Sequence, residues 1–316
     1  SNANYFALLA NIKLSRKKFQ EALELSNKAL ELDAENILGL NTRSSALLKL
    51  NDKEESFKTI EGALKEDPNN AYTHANYGWG LLEKGDHNKA LKHFKESLKN
   101  DPNFSYAQAG MMEALKAKYL VYRLFLKYAF WMSNLTARYQ WGVILGFYFA
   151  SRGLNSLAAN NAAWEPFITP ILTLMAIIAF STWVITPISN LFLRLNKYGK
   201  HLLSRKQMLS SNFVGVSAVI FLLSILAYVI MSDERWIVTA AFGFAMMVPF
   251  STMFAPTKYK YSLLIYTGIM LILGLVAIFE AFATGRLLNQ YTTIFFFAFI
   301  GFQFVANYLL IREDNR

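Results

Sequence analysis

Cysteine is missing altogether from the 316 residues. That excludes a disulfide framework, a thiolate zinc site and a cysteine nucleophile. Histidine is scarce as well: His74, His87, His93 and His201 are the only four, and no two share His-x-x-x-His spacing. No Gly-x-x-x-x-Gly-Lys-Ser/Thr phosphate loop and no Gly-x-Ser-x-Gly elbow occurs, which argues against ATP-driven work and serine hydrolysis. We therefore expect no catalytic residues, no metal site, no cofactor and no enzymatic activity. Charge is also thin. Charged residues make up 17% of the chain and apolar residues 54%, whereas an ordinary soluble domain carries about 25% charge. The length allows roughly two domains.

The few charges are unevenly placed. Residues 1–118 hold 17 Lys+Arg and 16 Asp+Glu, while residues 119–316 hold 15 and 6. The basic excess belongs to the apolar half. A nucleic-acid binder concentrates Lys and Arg on a soluble, foldable face, so no nucleic-acid partner is expected. Basic residues between apolar segments are the pattern of membrane loops on the cytoplasmic side. The start, Ser1-Asn2-Ala3, reads as a cleavage scar or the edge of a longer protein, and no signal peptide is visible.

What the first half does have is a regular period. Asp33, Asp67 and Asp101 mark it at even spacing, and Asp-Pro-Asn recurs at 67–69 and 101–103. Small residues keep the same register: Ala10, Ser44 and Gly78; Ala22, Ser56 and Ala90; Ala29, Ala63 and Ser97. Leu14, Leu48 and Leu82 supply a constant apolar position. Small residues at fixed points let two antiparallel helices approach closely, and the proline ends the second helix of each pair. This pattern resembles the tetratricopeptide repeat, as three units over roughly residues 3–103. Ala-Asn-Tyr-Gly-Trp-Gly-Leu-Leu-Glu-Lys-Gly-Asp at 75–86 is the clearest stretch and the first unit the poorest. The resemblance implies an α-solenoid whose inner groove is lined by the first helix of each unit. By register the wall includes Asn4, Ala7, Asn11, Leu38, Asn41, Ser45, Lys49, Tyr72, Ala75, Trp79 and Glu83. Of these we expect Asn11, Asn41, Ser45, Lys49, Tyr72 and Trp79 to bind a protein or peptide partner. The amides and the serine suit an extended backbone, and the two rings suit a side chain. Lys49 is the only cation in a suitable row, which disfavours a clamp for a terminal carboxylate.

Phe104, Ala107, Met111 and Leu115 recur at helical spacing and suit a capping helix. From Tyr119 to Trp131 aromatic residues and leucines alternate with Arg123 and Lys127, which suits the headgroup layer of a membrane. Charge then disappears from five long stretches, at 166–193, 207–232, 236–257, 261–279 and 287–311. About 20 apolar residues cross the hydrocarbon layer as a helix. A sixth candidate, Tyr139–Asn160, contains Arg152 and the small pair Gly142 and Gly146. The expected fold is all-α. It comprises a tetratricopeptide solenoid of about three repeats with a capping helix at 1–118, a basic-aromatic juxtamembrane helix at 119–138, and a six-helix transmembrane bundle at 139–316. The spans are expected near 139–160, 167–193, 212–231, 236–256, 262–283 and 291–311.

With six spans, one side receives 12 Lys+Arg and the other only Arg152, Arg235 and Arg286. The positive-inside rule then places the repeats and the C-terminus in the cytoplasm, and we expect a multi-pass protein of a bacterial inner membrane. The most basic loop carries Arg194, Lys197, Lys200, Arg205 and Lys206, which suit anionic lipid; Ser204 reads as an N-cap. Asn-Leu-Phe-Leu-Arg-Leu-Asn-Lys-Tyr-Gly-Lys-His at 190–201 and Tyr-Arg-Leu-Phe-Leu-Lys-Tyr at 122–128 resemble bacterial proteins that join tetratricopeptide repeats to several spans. That resemblance implies architecture alone. Among polar residues inside spans, Asn190, Glu280, Gln303 and Asn307 stand out. The reading that follows is a membrane-anchored interaction scaffold. The alternatives are a transporter or channel subunit regulated by its repeats, tested through Glu280, and a membrane enzyme acting on lipids.

Overall fold

A computed structural model describes residues 2–161, 163–196, 199–255 and 261–314, and every regular element among them is a helix. Contacts divide the chain into two compact units, Ser1–Leu145 and Gly146–Arg316.

The first unit contains α1 (Asn2–Ser15), α2 (Phe19–Leu32), α3 (Ile37–Lys49), α4 (Lys53–Glu66), α5 (Ala71–Lys84), α6 (His87–Asn100), α7 (Ser105–Lys116) and α8 (Leu120–Asn134). The periodic aspartates explain its turns. Asp33, Asp67 and Asp101 leave the helix in non-helical backbone. Each side chain accepts the backbone N–H two residues on, from Glu35, Asn69 and Asn103, which is the Asx-turn geometry. In the first two loops the next helix is capped by an asparagine three residues after the aspartate. Asn36 accepts from Gly39 N–H and Asn70 from Thr73 N–H, and both amides also donate to the preceding aspartate. Asp52 and Asp86 cap α4 and α6 in the same way.

The small residues mark helix crossings. Ala10, Ala22, Ala29, Ala63 and Ala90 are fully buried. Where serine replaces alanine the hydroxyls are paired: Ser44 Oγ donates to Ser56 O at 2.9 Å and Ser56 Oγ to Ser44 O at 2.8 Å. Pairing removes the penalty for burying a hydroxyl. Gly78 and Gly110 flank the buried ring of Phe94, and a methyl group at either would overlap that ring. The α1–α2 pair packs on α3 as the first of three stacked hairpins.

A further helix, α9 (Ala137–Asn160), straddles the boundary between the units, and none of its described side chains is buried. The second unit contains α10 (Glu165–Leu193), α11 (Gly199–Leu202), α12 (Arg205–Met231), α13 (Arg235–Thr252), α14 (Ser262–Thr284) and α15 (Gln290–Asp314). Its core gathers around α13. Phe242, Met246, Met247, Val248 and Phe250 meet Val184 of α10, Val214 of α12, Met270 of α14 and Phe302 of α15. Ser204 caps α12 through a reciprocal box with Gln207. The α12 and α13 helices pack closely: a methyl at Gly243 would lie 2.8 Å from Phe221 N, and Ser210 Oγ donates to Phe250 O at 2.7 Å.

Among the described residues, four helices are long and apolar enough to cross a membrane: Glu165–Leu193, Arg205–Met231, Ser262–Thr284 and Gln290–Leu309. This corrects the expectation of six. The α9 segment is long enough but is interrupted by Arg138, Arg152 and several amides and hydroxyls. The α13 helix has 18 residues, or about 27 Å, and includes Pro249, Ser251 and Thr252. Its second half is buried against neighbouring helices from Ala245 to Phe250, while Ile237, Ala241 and Phe244 are exposed. The outer faces of the four apolar helices carry exposed Phe167, Leu222, Val229, Ile272, Phe279, Phe297 and Phe304, a surface that water does not favour.

Candidate peptide-binding groove

The first helices of the stacked hairpins, α1, α3 and α5, place their matching faces side by side, and the residues expected there come together in two groups. One is a polar ladder. Asn41 is fully buried. Its Nδ2 donates to Ile37 O at 2.8 Å and to Thr73 Oγ1 at 2.9 Å. Asn76 Nδ2 in turn reaches Asn41 O, Asn41 Oδ1 and Ser45 Oγ within 3.2 Å. Asn41 and Ser45 therefore bind α3 to α5. Asn41 is closed to a peptide, because in a close-packed crossing its amide replaces backbone partners rather than facing solvent.

The second group is aromatic and ionic. Trp79 stacks on Tyr106 with ring centroids 5.6 Å apart and meets the edge of Phe94 at 5.8 Å. Its Nε1 donates to Tyr106 O at 3.2 Å. Tyr72 stacks on Tyr106 at 6.5 Å, with Asn11 close to its hydroxyl. Burial raises the hydroxyl pKa of both Tyr72 and Tyr106. One turn beyond Trp79, Lys49 Nζ and Glu83 Oε2 form an ion pair at 2.7 Å, with about a quarter or less of each side chain exposed. Lys49 is thereby neutralised. Between the two groups lies a cavity of about 240 Å³, lined by Ser45, Lys49, Asn76, Trp79, Glu83 and Tyr106, with Phe130 and Ser133 of α8 on its far side.

The sequence reading did not include Thr73, Asn76, Tyr106 or the α8 residues. Tyr106 stands one period after Tyr72, so the repeat held a signal for it. Nothing in the period pointed to Phe130 or Asn134. Among the described residues no cluster of three His, Asp or Glu is arranged to hold a metal ion.

The basic loop of the second unit divides differently. Arg194 leans on the start of α12, donating to Asn212 Oδ1 at 2.7 Å, Met208 O at 2.6 Å and Ser211 Oγ at 2.5 Å. Its guanidinium clasps α10 to α12. Arg205 and Lys206 are exposed. Lys197 and the Lys200 side chain lie outside the described residues.

Comparison with known families matches this groove region. Models described as tetratricopeptide repeat match residues 39–70 and 71–104. Residues 39–104 are tetratricopeptide repeats. The α1–α2 hairpin lies outside the matched segments, in keeping with the poor fit of the first unit to the pattern. No curated protein matches the chain.

Proposed function

We propose that this chain is a membrane-anchored scaffold whose tetratricopeptide groove binds a protein partner. The observation that carries the reading is the joining, in one chain, of a repeat groove with four charge-poor helices whose outward faces are apolar. The repeat family supports protein binding, and the helices support anchoring. Trp79, Tyr72 and the Lys49–Glu83 pair form the recognition surface, with Asn41 and Ser45 as its internal braces.

We further propose that α13 crosses alongside α12. It leaves the Ser232–Glu234 turn and returns to Ser210, a point about 32 Å back along α12 from Met231. A crossing α13 puts the 194–206 loop, Lys258 and Lys260 on one face, as the positive-inside rule favours. The basic residues Arg123, Lys127 and Arg138, ahead of α9 and at its start, favour that same cytoplasmic face for the repeats, of a bacterial inner membrane, and this arrangement requires α9, whose 24 residues reach about 36 Å, to cross as well. Arg205 and Lys206 would meet anionic headgroups there.

The test of partner binding is a photo-crosslinking side chain at Tyr72 in the full chain in membranes, compared with one at Lys58, which is 80% exposed. A discrete adduct at Tyr72 that is absent at Lys58 and lost on Trp79→Ala is expected. The same adducts at both positions would contradict the reading.

A further inference from the structure

The α8 helix begins where the period would put the second helix of a fourth unit: Val121 stands one period after His87 and two after Lys53. It lacks what that place requires. The small residues Ser56 and Ala90 of α4 and α6 correspond to Leu124, and Ala63 and Ser97 correspond to Trp131. Two bulky side chains at the crossing points prevent close antiparallel packing, and both are at least half exposed.

Instead α8 uses another stripe, Tyr122, Leu126, Phe130 and Asn134, four residues apart and so on one face. Tyr122 and Leu126 are buried. Tyr122 OH donates to Glu113 of α7 and lies beside Lys116 Nζ. Phe130 sets its edge against Trp79, with centroids 6.2 Å apart. Asn134 Nδ2 donates to Glu83 Oε1 at 2.9 Å. Just past the helix end, Leu135 O accepts from Lys17 Nζ at 2.7 Å, a cation placed where a helix C-terminus favours one. The residues that α8 meets on α5 are the ones proposed above for recognition.

We propose that α8 is the groove's own occupant, and that the partner the groove accepts is an amphipathic helix of the same kind. That helix would present an aromatic ring to Trp79 and, four residues on, a hydrogen-bond donor to Glu83, with its C-terminal carbonyls toward Lys17. This rests on the reading that the groove binds a protein partner, and it replaces an extended peptide with a helix. Because the link from α7 is only Ala117–Tyr119, α8 competes at high effective concentration. A partner helix binds with an affinity reduced by the fraction of chains in which α8 has left.

The test uses the full chain in lipid nanodiscs and a fluorescein-labelled peptide of residues 120–135, with binding to empty nanodiscs subtracted. Polarisation is expected to show binding at least about tenfold tighter to the Phe130→Ala/Asn134→Ala variant than to the unaltered chain, and that gain is expected to vanish when Trp79→Ala is added. Equal affinity for the two proteins, indifference to Trp79→Ala, or no binding to either would overturn the proposal. Glu83→Cys with Asn134→Cys gives an independent measure in a chain with no other thiol. A short bis-maleimide is expected to bridge them within one molecule, and failure to bridge would also count against α8 in the groove. A partner captured at Tyr72 that the peptide does not displace would leave the scaffold reading standing and sink this one. The expected peptide behaviour without any captured partner would do the reverse.

Discussion

Replacing Phe94 with alanine is the sharpest perturbation of the repeat unit. Its ring is fully buried, Gly78 and Gly110 close on it from two helices, and Trp79 stands edge-on to it. Glycine at 78 and 110 leaves no side chain at either position to fill the space. The full cavity cost of a Phe→Ala change applies, about 3–5 kcal/mol, a roughly hundred- to several-thousand-fold shift in the local opening equilibrium. Amide hydrogen exchange on the full chain in nanodiscs reads this directly. Protection is expected to fall by that factor in α5, α6 and α7 and to hold in α12 and α13. A fall of less than tenfold in α5–α7, or an equal fall in both units, would refute the account of Phe94 as the wedge between these helices. The converse change, Gly110→Ala, drives a methyl into the ring and is expected to cost about 1–3 kcal/mol by overpacking.

Other outcomes follow from single contacts. Asn41→Ala strips Thr73 and Asn76 of a buried partner and is expected to destabilise the unit by about 1–3 kcal/mol in chemical unfolding, with Ser45→Ala costing less. Burial and the neighbouring His74 hold His93 at a pKa of about 4, against 6.5 for a free histidine. The unfolded chain therefore takes up the proton first. Stability of the repeats present above pH 6.5 is expected to be lost progressively as pH falls toward 4, and His93→Gln is expected to flatten that part of a melting-temperature profile. Ser204→Ala removes one half of a capping box and is expected to cost about 0.5–2 kcal/mol, seen as faster exchange in the first turn of α12.

The repeat was legible because its signals are steric and recur. The aspartates at 33, 67 and 101 make the same turn each time, and the small residues sit where helices cross. The identity of a polar side chain carries less. Asn41 and Asn11 look alike in the register, yet one is sealed against Thr73 and the other lies close to a tyrosine hydroxyl. Which outcome holds depends on the residue that the neighbouring helix presents, not on the asparagine. The role of α8 was hidden for a related reason. Its amphipathic face reads equally well as a face for headgroups or for a groove, and only the presence of Leu124 and Trp131 at the small-residue positions hinted that it leaves the solenoid's course. In the second half, a charge-free run reports a long apolar helix. It finds α13 at 236–257 but does not show that Gly243, Pro249 and Ser251 serve its neighbours, and it passes over α9, which Arg138 and Arg152 interrupt.

Single-cysteine labelling in sealed vesicles tests the central claim most directly, since the chain offers no background thiol. Asn69→Cys reports the repeats, Leu195→Cys the basic loop, and Leu288→Cys the opposite turn; all three positions are exposed. The account predicts that an impermeant maleimide reaches Asn69→Cys and Leu195→Cys from one side of the membrane and Leu288→Cys only from the other. Labelling of Leu195→Cys and Leu288→Cys from the same side, or release of the protein from the vesicles by alkaline carbonate, would contradict it.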